Sequence, residues 1–255
     1  MKNLLITAAV LGLLLAPSCS NNQQQNKVAP PMSPTLKTKK INNYLKAVMK
    51  EISLENQTGQ PDVTRNFYFI MDGSGSMNES TGEDCGDSDG AFSTKIAGAN
   101  WAITEFLKQV PGDVNMGLYI FDHMGAEERA PLGPADHDKL LHEINEMRVG
   151  GRTPLAPAIM HATDTLVEQY KKQLGYGEYR IVIVTDGQAE HIPEAATYAA
   201  EYGIPIYSIG LCVGPDHPLR TFSVSYWSAD NFEDLAKGLK QTIAELPQFD
   251  AKGFE

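Results

Sequence analysis

The sequence predicts an α/β fold: a doubly wound, mostly parallel sheet with helices on both faces. From about residue 66 onward, short apolar segments typical of strands alternate with longer segments of helical periodicity. Two of the strand segments, "FYFIM" and "IVIV", are continuously apolar, as strands buried on both faces are. Alternation and continuous apolarity together favour a parallel sheet enclosed between two helical layers.

The first half of the alternation contains two strands and three helices. A strand is predicted to end at Met71, and "VNMGLYIFD" predicts a second strand over Val114–Asp122. Between them a helix is expected from about Thr94 to Val110, because its apolar residues recur on one side. Two further helices are expected, from about His137 to Met147 and from Leu155 to about Lys172.

The second half continues the same alternation. "YRIVIVTDG" predicts a strand ending at Asp186, and "PEAATYAAEYG" predicts a short helix. That helix is expected to end at Gly203, because glycine commonly follows the last turn of a helix. The runs "IPIYSIGLC" and "VSYWSA" predict two more strands, and "NFEDLAKGLKQTIAEL" predicts a terminal helix.

Residues 1–18 are predicted to be the signal peptide of a lipoprotein. Lys2 precedes an apolar run from Leu4 to Leu15, and small residues follow it. The run is too short to span a membrane comfortably. The segment "LAPSC" resembles the lipobox of bacterial lipoproteins, although Ala16 stands where leucine is usual. The resemblance implies lipidation of Cys19, and an ordinary signal peptide cleaved nearby is the alternative.

Two segments separate the leader from the domain predicted over residues 58–250. Residues 19–40 are polar and rich in proline, which is typical of a flexible tether. Residues 41–57 are predicted to form an amphipathic helix that docks on the domain, and a partner-binding helix is the alternative. Its expected apolar face consists of Ile41, Tyr44, Leu45, Val48, Met49 and Ile52.

Charge and motif content disfavour several classes of function. The chain has 21 basic and 32 acidic side chains, a net charge of -11, so nucleic acid is not an expected partner. The segment "HEINE", His142–Glu146, has Glu146 where the zinc motif H-E-x-x-H has its second histidine. "DGSGSM" does not fit the G-x-S-x-G nucleophile motif. A zinc or serine hydrolase is therefore not expected.

Oxygen-bearing side chains follow two of the predicted strands. Asp72, Ser74 and Ser76 alternate with glycines after the first strand, and Asp186 ends another. Thr153 lies in a glycine-rich loop before a helix. In doubly wound sheets, ligands bind outside the carboxyl ends of the strands, where the strand order reverses. Hydroxyl and carboxylate oxygens suit a hard cation, so the sequence predicts a Mg²⁺ site.

These motifs, "DGSGSM", Thr153 in "GGRTPL" and Asp186 in "VTDG", resemble the von Willebrand factor type A (VWA) domain. They match its metal-ion-dependent adhesion site (MIDAS) in order and context, within a resemblance covering roughly residues 66–246. The family implies a Rossmann-like fold and direct metal ligation by Ser74, Ser76 and, in the ligand-bound state, Thr153. It implies that Asp72 and Asp186 act through water. Mn²⁺ or Ca²⁺ could replace Mg²⁺.

The resemblance implies a non-catalytic binding function. The expected protein is a lipoprotein of the bacterial cell envelope that binds a protein partner through the metal, with an acidic residue of the partner completing the metal shell. The lipid anchor would place it at the outer membrane, facing the periplasm, or at the cell surface. One alternative is a structural component of an envelope assembly, in which the metal only stabilises the fold. A metal-assisted hydrolase is a further alternative, but no side chain is spaced as an evident general base.

Two features near the expected site leave alternatives open. Cys85 and Cys212 both fall at the predicted carboxyl edge of the sheet, so they could form a disulfide or remain free thiols. The acidic segment Gly82–Gly90 is either an exposed loop or a second cation site.

Overall fold

Six strands form one sheet in the computed structural model of the chain, which describes residues 49–81, 92–187, 189–213 and 217–244. The strands of the described residues are β1 (Arg65–Asp72), β2 (Val114–Asp122), β3 (Gly125–Pro134), β4 (Glu178–Thr185), β5 (Ile206–Leu211) and β6 (Ser225–Ala229). They lie in the order β3-β2-β1-β4-β5-β6, and every pair is parallel except β2 and β3. This order confirms the predicted doubly wound, mostly parallel sheet.

Helices cover both faces of the sheet. The helices of the described residues are α1 (Lys95–Leu107), α2 (His137–Asn145), α3 (Leu155–Lys172), α4 (Ile192–Glu201), α5 (Leu219–Phe222) and α6 (Phe232–Ala244). Alternate side chains of β1 enter two separate cores: Phe67 and Phe69 pack with α1, α2 and α6, whereas Tyr68 and Ile70 pack with α3 and α4. The double-sided burial explains why this strand is continuously apolar.

The central strands end together. Asp72 on β1 is paired with Phe121 on β2, and Met71 on β1 is paired with Val184 on β4. From β1 the strand order runs through β2 on one side and through β4 on the other, so the order reverses between β1 and β4. The residues that follow β1 and β4 therefore lie side by side at one edge of the sheet.

Strand β3 was not predicted from the sequence. It pairs antiparallel with β2 at the edge of the sheet, and its register with β2 shifts near Leu118. Its sequence, "GAEERAPLGP", contains a charged triplet, Glu127–Arg129, and Pro131. An edge strand tolerates both features, because one side of its backbone needs no partner strand.

The predicted helix over residues 41–57 is wrong for the part that the structure describes. Residues 49–57 form no helix, and residues 41–48 lie outside the described residues. The Lys50 N–H donates to the Glu201 carbonyl at 2.6 Å, and Ile52 packs against the core beneath α3 and α4. Met49 is 61% exposed. A backbone hydrogen bond to the end of α4 and the partial burial of Ile52 therefore replace the expected apolar helix face.

The leader and the tether lie outside the described residues, as do Cys19, Cys85 and the acidic segment 82–90. The signal peptide, lipidation and tether therefore stay predictions. Within residues 49–81, 92–187, 189–213 and 217–244, no helix has both the length and the apolarity needed to cross a bilayer.

Candidate metal centre

The metal-site residues predicted from the sequence meet where the strand order reverses. Asp72 ends β1, Asp186 follows β4, and Thr153 lies just before α3. Asp72 and Asp186 are both buried, and Thr153 is half-buried. The edge between β1 and β4 is the position at which doubly wound sheets bind ligands.

Asp72 organises the loop that follows β1. One carboxylate oxygen accepts the Ser74 N–H at 2.8 Å, and the other accepts the Thr185 hydroxyl at 2.6 Å. The Ser74 and Ser76 hydroxyl oxygens are 3.1 Å apart. Gly75–Asn78 then forms a single 3₁₀ turn. The alternating sequence thus places two hydroxyls and one carboxylate on the same side of the loop.

Asp186 joins this loop to the end of β4. Its Oδ1 accepts the Ser76 hydroxyl at 2.7 Å, and its Oδ2 accepts the Lys95 ammonium at 3.0 Å. The same ammonium lies 2.7 Å from Glu79 Oε2. Ser76 therefore connects the loop after β1 directly to the end of β4.

Gly187 shows that Thr153 belongs to the same constellation. A Cβ atom placed on Gly187 would lie 3.6 Å from Thr153 Oγ1, 3.8 Å from Ser76 Oγ and 4.0 Å from Asp72 Oδ2. Side-chain oxygens from two segments of the chain thus lie around the space beside Gly187, which has no side chain to fill it. The structure brings the predicted residues together, and their binding of a metal stays a prediction.

Backbone hydrogen bonds hold the Thr153 loop against the loop after β1. Gly73 donates to the Phe121 carbonyl at 2.8 Å and accepts from the Gly150 N–H at 2.8 Å. The Gly75 N–H donates to the Gly151 carbonyl at 3.3 Å. These bonds restrict the position of Thr153 relative to the two serines, because Gly150 and Gly151 lie three and two residues before it in the chain.

Asp122 is a buried residue of this edge that the sequence reasoning missed. Its carboxylate accepts the Arg148 N–H at 3.0 Å, the Met124 N–H at 2.8 Å and the Arg129 guanidinium at 3.2 Å. It therefore joins the turn after β2 to the segment that leads to Thr153. The signal was present in the sequence, since Asp122 ends a predicted strand at the same edge as Asp72.

His217 is a second residue that the sequence did not single out. It is buried, and its Nδ1 accepts the Leu219 N–H at 3.2 Å, so the other ring nitrogen carries a proton and donates to the Gly187 carbonyl at 2.7 Å. The ring also stacks on Tyr226. His217 thereby anchors the turn beside Asp186, through a contact that no sequence motif indicates.

The electrostatics of the edge favour a cation. Burial raises the pKa of Asp72, hydrogen bonds from Ser74 and Thr185 oppose this rise, and the Asp186 charge adds to it. Burial alone lowers the pKa of Lys95, but hydrogen bonds to Glu79 and Asp186 outweigh that effect and raise it. Two neighbouring buried carboxylates thus create negative potential that a cation would relieve.

The donor set fits a hard cation bound mainly by hydroxyls. Within the described residues, no group of three or more His, Cys, Asp or Glu side chains is placed to hold a metal ion. The oxygens that converge here are three hydroxyls, Ser74, Ser76 and Thr153, with two carboxylates. Such all-oxygen sites suit Mg²⁺, which retains several waters.

Cys212 follows β5 at the same edge and is disulfide-bonded. Its partner is not among the described residues, in which Cys212 is the only cysteine. Cys85, the predicted partner, lies outside them. The Cys212 N–H donates to the Ala229 carbonyl at 2.8 Å, which attaches the disulfide to the end of β6.

Replacing Cys212 by serine is expected to lower the free energy of unfolding by about 2–4 kcal/mol, because the unfolded chain regains conformational freedom. Urea denaturation under oxidising conditions measures the loss. If Cys85 is the partner, Cys85→Ser gives an equal loss and the double variant loses no more. An additive loss in the double variant, or a loss in Cys19→Ser equal to that in Cys212→Ser, would contradict the pairing of Cys85 with Cys212.

Comparison with known families identifies the segment that carries this edge. Residues 67–188 match the family model of the von Willebrand factor type A domain. The matched segment runs from β1 to the turn after β4, so it contains Asp72, Ser74, Ser76, Thr153 and Asp186. Over this segment the chain is similar to the VWA domain. A search of curated protein sequences gave no match.

Solved structures share the fold at low sequence identity. An aerotolerance-related membrane protein from Bacteroides fragilis is 16% identical, with a TM-score of 0.53, covering 72% of this chain and 100% of its own. The pilus adhesin SpaC from Lactobacillus rhamnosus GG is 14% identical, with a TM-score of 0.55, covering 73% of this chain and 31% of its own.

A third similar structure is the manganese-loaded TRAP protein of Plasmodium vivax. It is 16% identical, with a TM-score of 0.52, and the match covers 71% of this chain and 73% of its own. At these identities the three likenesses show the fold alone.

Proposed function

We propose that this chain is an envelope-anchored lipoprotein whose VWA domain binds a protein partner through a divalent cation. The observation that carries the proposal is the convergence of five oxygen-bearing side chains at the edge between β1 and β4. Asp72, Ser76 and Thr153 surround the position that a Cβ atom on Gly187 would occupy. Ser74 and Asp186 are hydrogen-bonded to members of this group.

In this proposal Ser74, Ser76 and Thr153 hold the cation directly, and Asp72 and Asp186 act through water. Mg²⁺ is the expected ion, and Mn²⁺ or Ca²⁺ could occupy the same oxygens. When bound, the cation supplies a Lewis-acid position for an incoming carboxylate. Hydrogen bonds between Ser76 and the Ser74 hydroxyl and between Ser76 and Asp186 hold the two serines close to this carboxylate.

The surface beside the edge supports an acidic partner. His123, Arg148 and Arg152 are exposed on the turn after β2 and on the loop before Thr153. The His123 N–H donates to the Arg148 carbonyl at 2.8 Å, so the two loops form one continuous rim. Met124 on this rim is 58% exposed. A basic rim on a chain of net charge -11 offers a local site of attraction for carboxylates.

Similar structures lend limited support to a binding role. SpaC is a pilus adhesin, and the TRAP structure is manganese-loaded. Both carry the same fold at low identity, so metal binding by this chain is supported by its own five side chains. Neither likeness supplies a partner for this chain.

A capture experiment tests the proposal. The full chain, purified in a mild detergent and immobilised, is presented with envelope and extracellular-matrix extracts in millimolar Mg²⁺ or in excess chelator. A protein retained only with Mg²⁺, and not by Asp72→Ala, is the expected result and names the partner. Retention that ignores both chelator and substitution would instead favour a structural component of an envelope assembly.

Arg152→Glu reverses a charge on the rim. It is expected to weaken binding of the captured partner by about tenfold at low salt, because the new carboxylate repels the acidic partner that arginine attracts. Surface plasmon resonance at several salt concentrations measures the effect. Lys240→Glu, at an exposed position of α6, is the matched control and changes the total charge equally. Equal weakening by both variants would assign the effect to net charge and not to the rim.

A further inference from the structure

Lys95 occupies a special position at the proposed metal edge. It is the first residue of α1, and its ammonium lies 3.0 Å from Asp186 Oδ2 and 2.7 Å from Glu79 Oε2. The Lys95 side chain is only 12% exposed, and the Asp186 side chain is fully buried. This ion pair is therefore largely withdrawn from solvent, in contrast to most lysine pairs on a protein surface.

We propose that Lys95 is a built-in counter-charge that sets the affinity of this edge for divalent cations. It is not a ligand, and it acts through Asp186. The inference builds on the proposed metal site and adds a residue that limits how tightly the site binds. Removing the lysine charge is expected to tighten cation binding and to make the stability of the protein more dependent on the cation.

The first reason to expect that Lys95 weakens cation binding is competition between its ammonium and the cation for the Asp186 carboxylate. Both oxygens of Asp186 already accept hydrogen bonds, Oδ1 from Ser76 and Oδ2 from Lys95. A cation that draws on Asp186 must share this carboxylate with the ammonium. Because both side chains are largely buried, the repulsion between ammonium and metal ion is screened less than it would be in water.

The second reason concerns the stability of the protein without the cation, which Lys95 is expected to support. Asp72 and Asp186 are buried close to one another, and Lys95 supplies the positive charge that offsets them. Removing one partner of a buried ion pair leaves an uncompensated charge, which is strongly unfavourable. Without Lys95, the protein would depend on the metal ion for this compensation.

Glu79 gives the ammonium a second partner. The Glu79 side chain is 64% exposed, and its backbone is held in place because its N–H donates to the Ser76 carbonyl and its carbonyl accepts the Lys95 N–H. Lys95 thus bridges an inner carboxylate and an outer one. When a cation draws on Asp186, the ammonium keeps its ion pair with Glu79.

Calorimetric titration of Mg²⁺ into the full chain tests the inference, and Lys95→Met, Lys95→Gln and Lys95→Arg are compared with the wild type. Loss of the charge in the Met and Gln variants is expected to tighten Mg²⁺ binding about tenfold, whereas Arg stays within about twofold of the wild type. Lys108→Met is the matched control, because Lys108 pairs with Glu105 at the other end of α1 and is 60% exposed. It should leave the affinity unchanged.

Thermal unfolding gives a second readout that does not depend on a partner protein. Lys95→Met should lower Tm without Mg²⁺ and show a larger rise in Tm than the wild type when Mg²⁺ is added. If the wild type binds Mg²⁺ but Lys95→Met and Lys95→Gln bind it equally or more weakly, the inference about Lys95 is wrong and the metal site stands. If the wild type itself binds no Mg²⁺, both proposals fall.

Discussion

Asp72→Ala is expected to lower the affinity for Mg²⁺ at least a hundredfold, a loss of binding free energy on the order of 3 kcal/mol or more. It is also expected to remove the metal-dependent capture of the partner. The substitution deletes one of the two carboxylates of the edge. It also removes the acceptor of the Ser74 N–H and the nearer of two acceptors of the Thr185 hydroxyl, the other being the Gly187 carbonyl at 3.3 Å. The loop would thus lose both its charge and the bonds that align Ser74.

Asp72→Asn separates these two effects, because asparagine keeps the shape of the side chain and one carbonyl acceptor. Both variants should fail to bind Mg²⁺ in calorimetry. Without metal, Asn should leave the free energy of unfolding at or above the wild-type value, whereas Ala should lower it by about 1–3 kcal/mol. Wild-type Mg²⁺ affinity in Asp72→Asn would show that the carboxylate is not needed.

Gly73→Ala is expected to weaken Mg²⁺ binding by more than tenfold and to lower the free energy of unfolding by about 1–3 kcal/mol. An alanine Cβ would lie 2.7 Å from Met147 Sδ and 2.9 Å from Asp122 Cβ. The methionine can move, but Asp122 is held by three hydrogen bonds. The loop after β1 would therefore shift away from the Thr153 loop.

Gly75→Ala is the matched control within the same motif. The nearest atom to its Cβ would be the Gly151 carbonyl oxygen at 3.8 Å, an ordinary contact. We expect Mg²⁺ affinity and stability close to those of the wild type, measured by the same titration and by urea denaturation. Equal losses in both variants would mean that the motif excludes side chains for a reason other than the contact with Asp122.

The sequence could predict that these side chains lie together because they follow the ends of strands. Asp72 and Asp186 each follow a continuously apolar strand, and parallel strands bring such ends to one edge. The pairing of β1 with β4 in the structure makes the two aspartates neighbours. Thr153 was predicted only from its motif and its position before a helix, and the structure places it beside Gly187.

The residues that the sequence did not predict act through contacts between distant segments. Asp122 joins two loops, His217 reaches the Gly187 carbonyl from the segment after β5, and Lys95 reaches Asp186 from α1. Histidine, lysine and aspartate at such positions are also common on solvated surfaces. Their roles become visible only when the fold sets the distances.

The incorrect helix at residues 49–57 has a related cause. Its apolar residues have helical spacing, but the segment is short, and a backbone hydrogen bond from Lys50 to α4 and the partial burial of Ile52 hold it in a non-helical conformation. Strand β3 was missed for the opposite reason, since its sequence has no apolar alternation and its conformation depends on β2. In both segments, tertiary contacts outweigh local propensity.

The most direct test of the proposed metal site is anomalous diffraction from crystals of this protein soaked in Mn²⁺. We expect one strong anomalous peak at the edge between β1 and β4, within bonding distance of the Ser74, Ser76 and Thr153 hydroxyls, and its loss in Asp72→Ala. Crystals that take up Mn²⁺ elsewhere and show no peak among these three hydroxyls would contradict the proposed site.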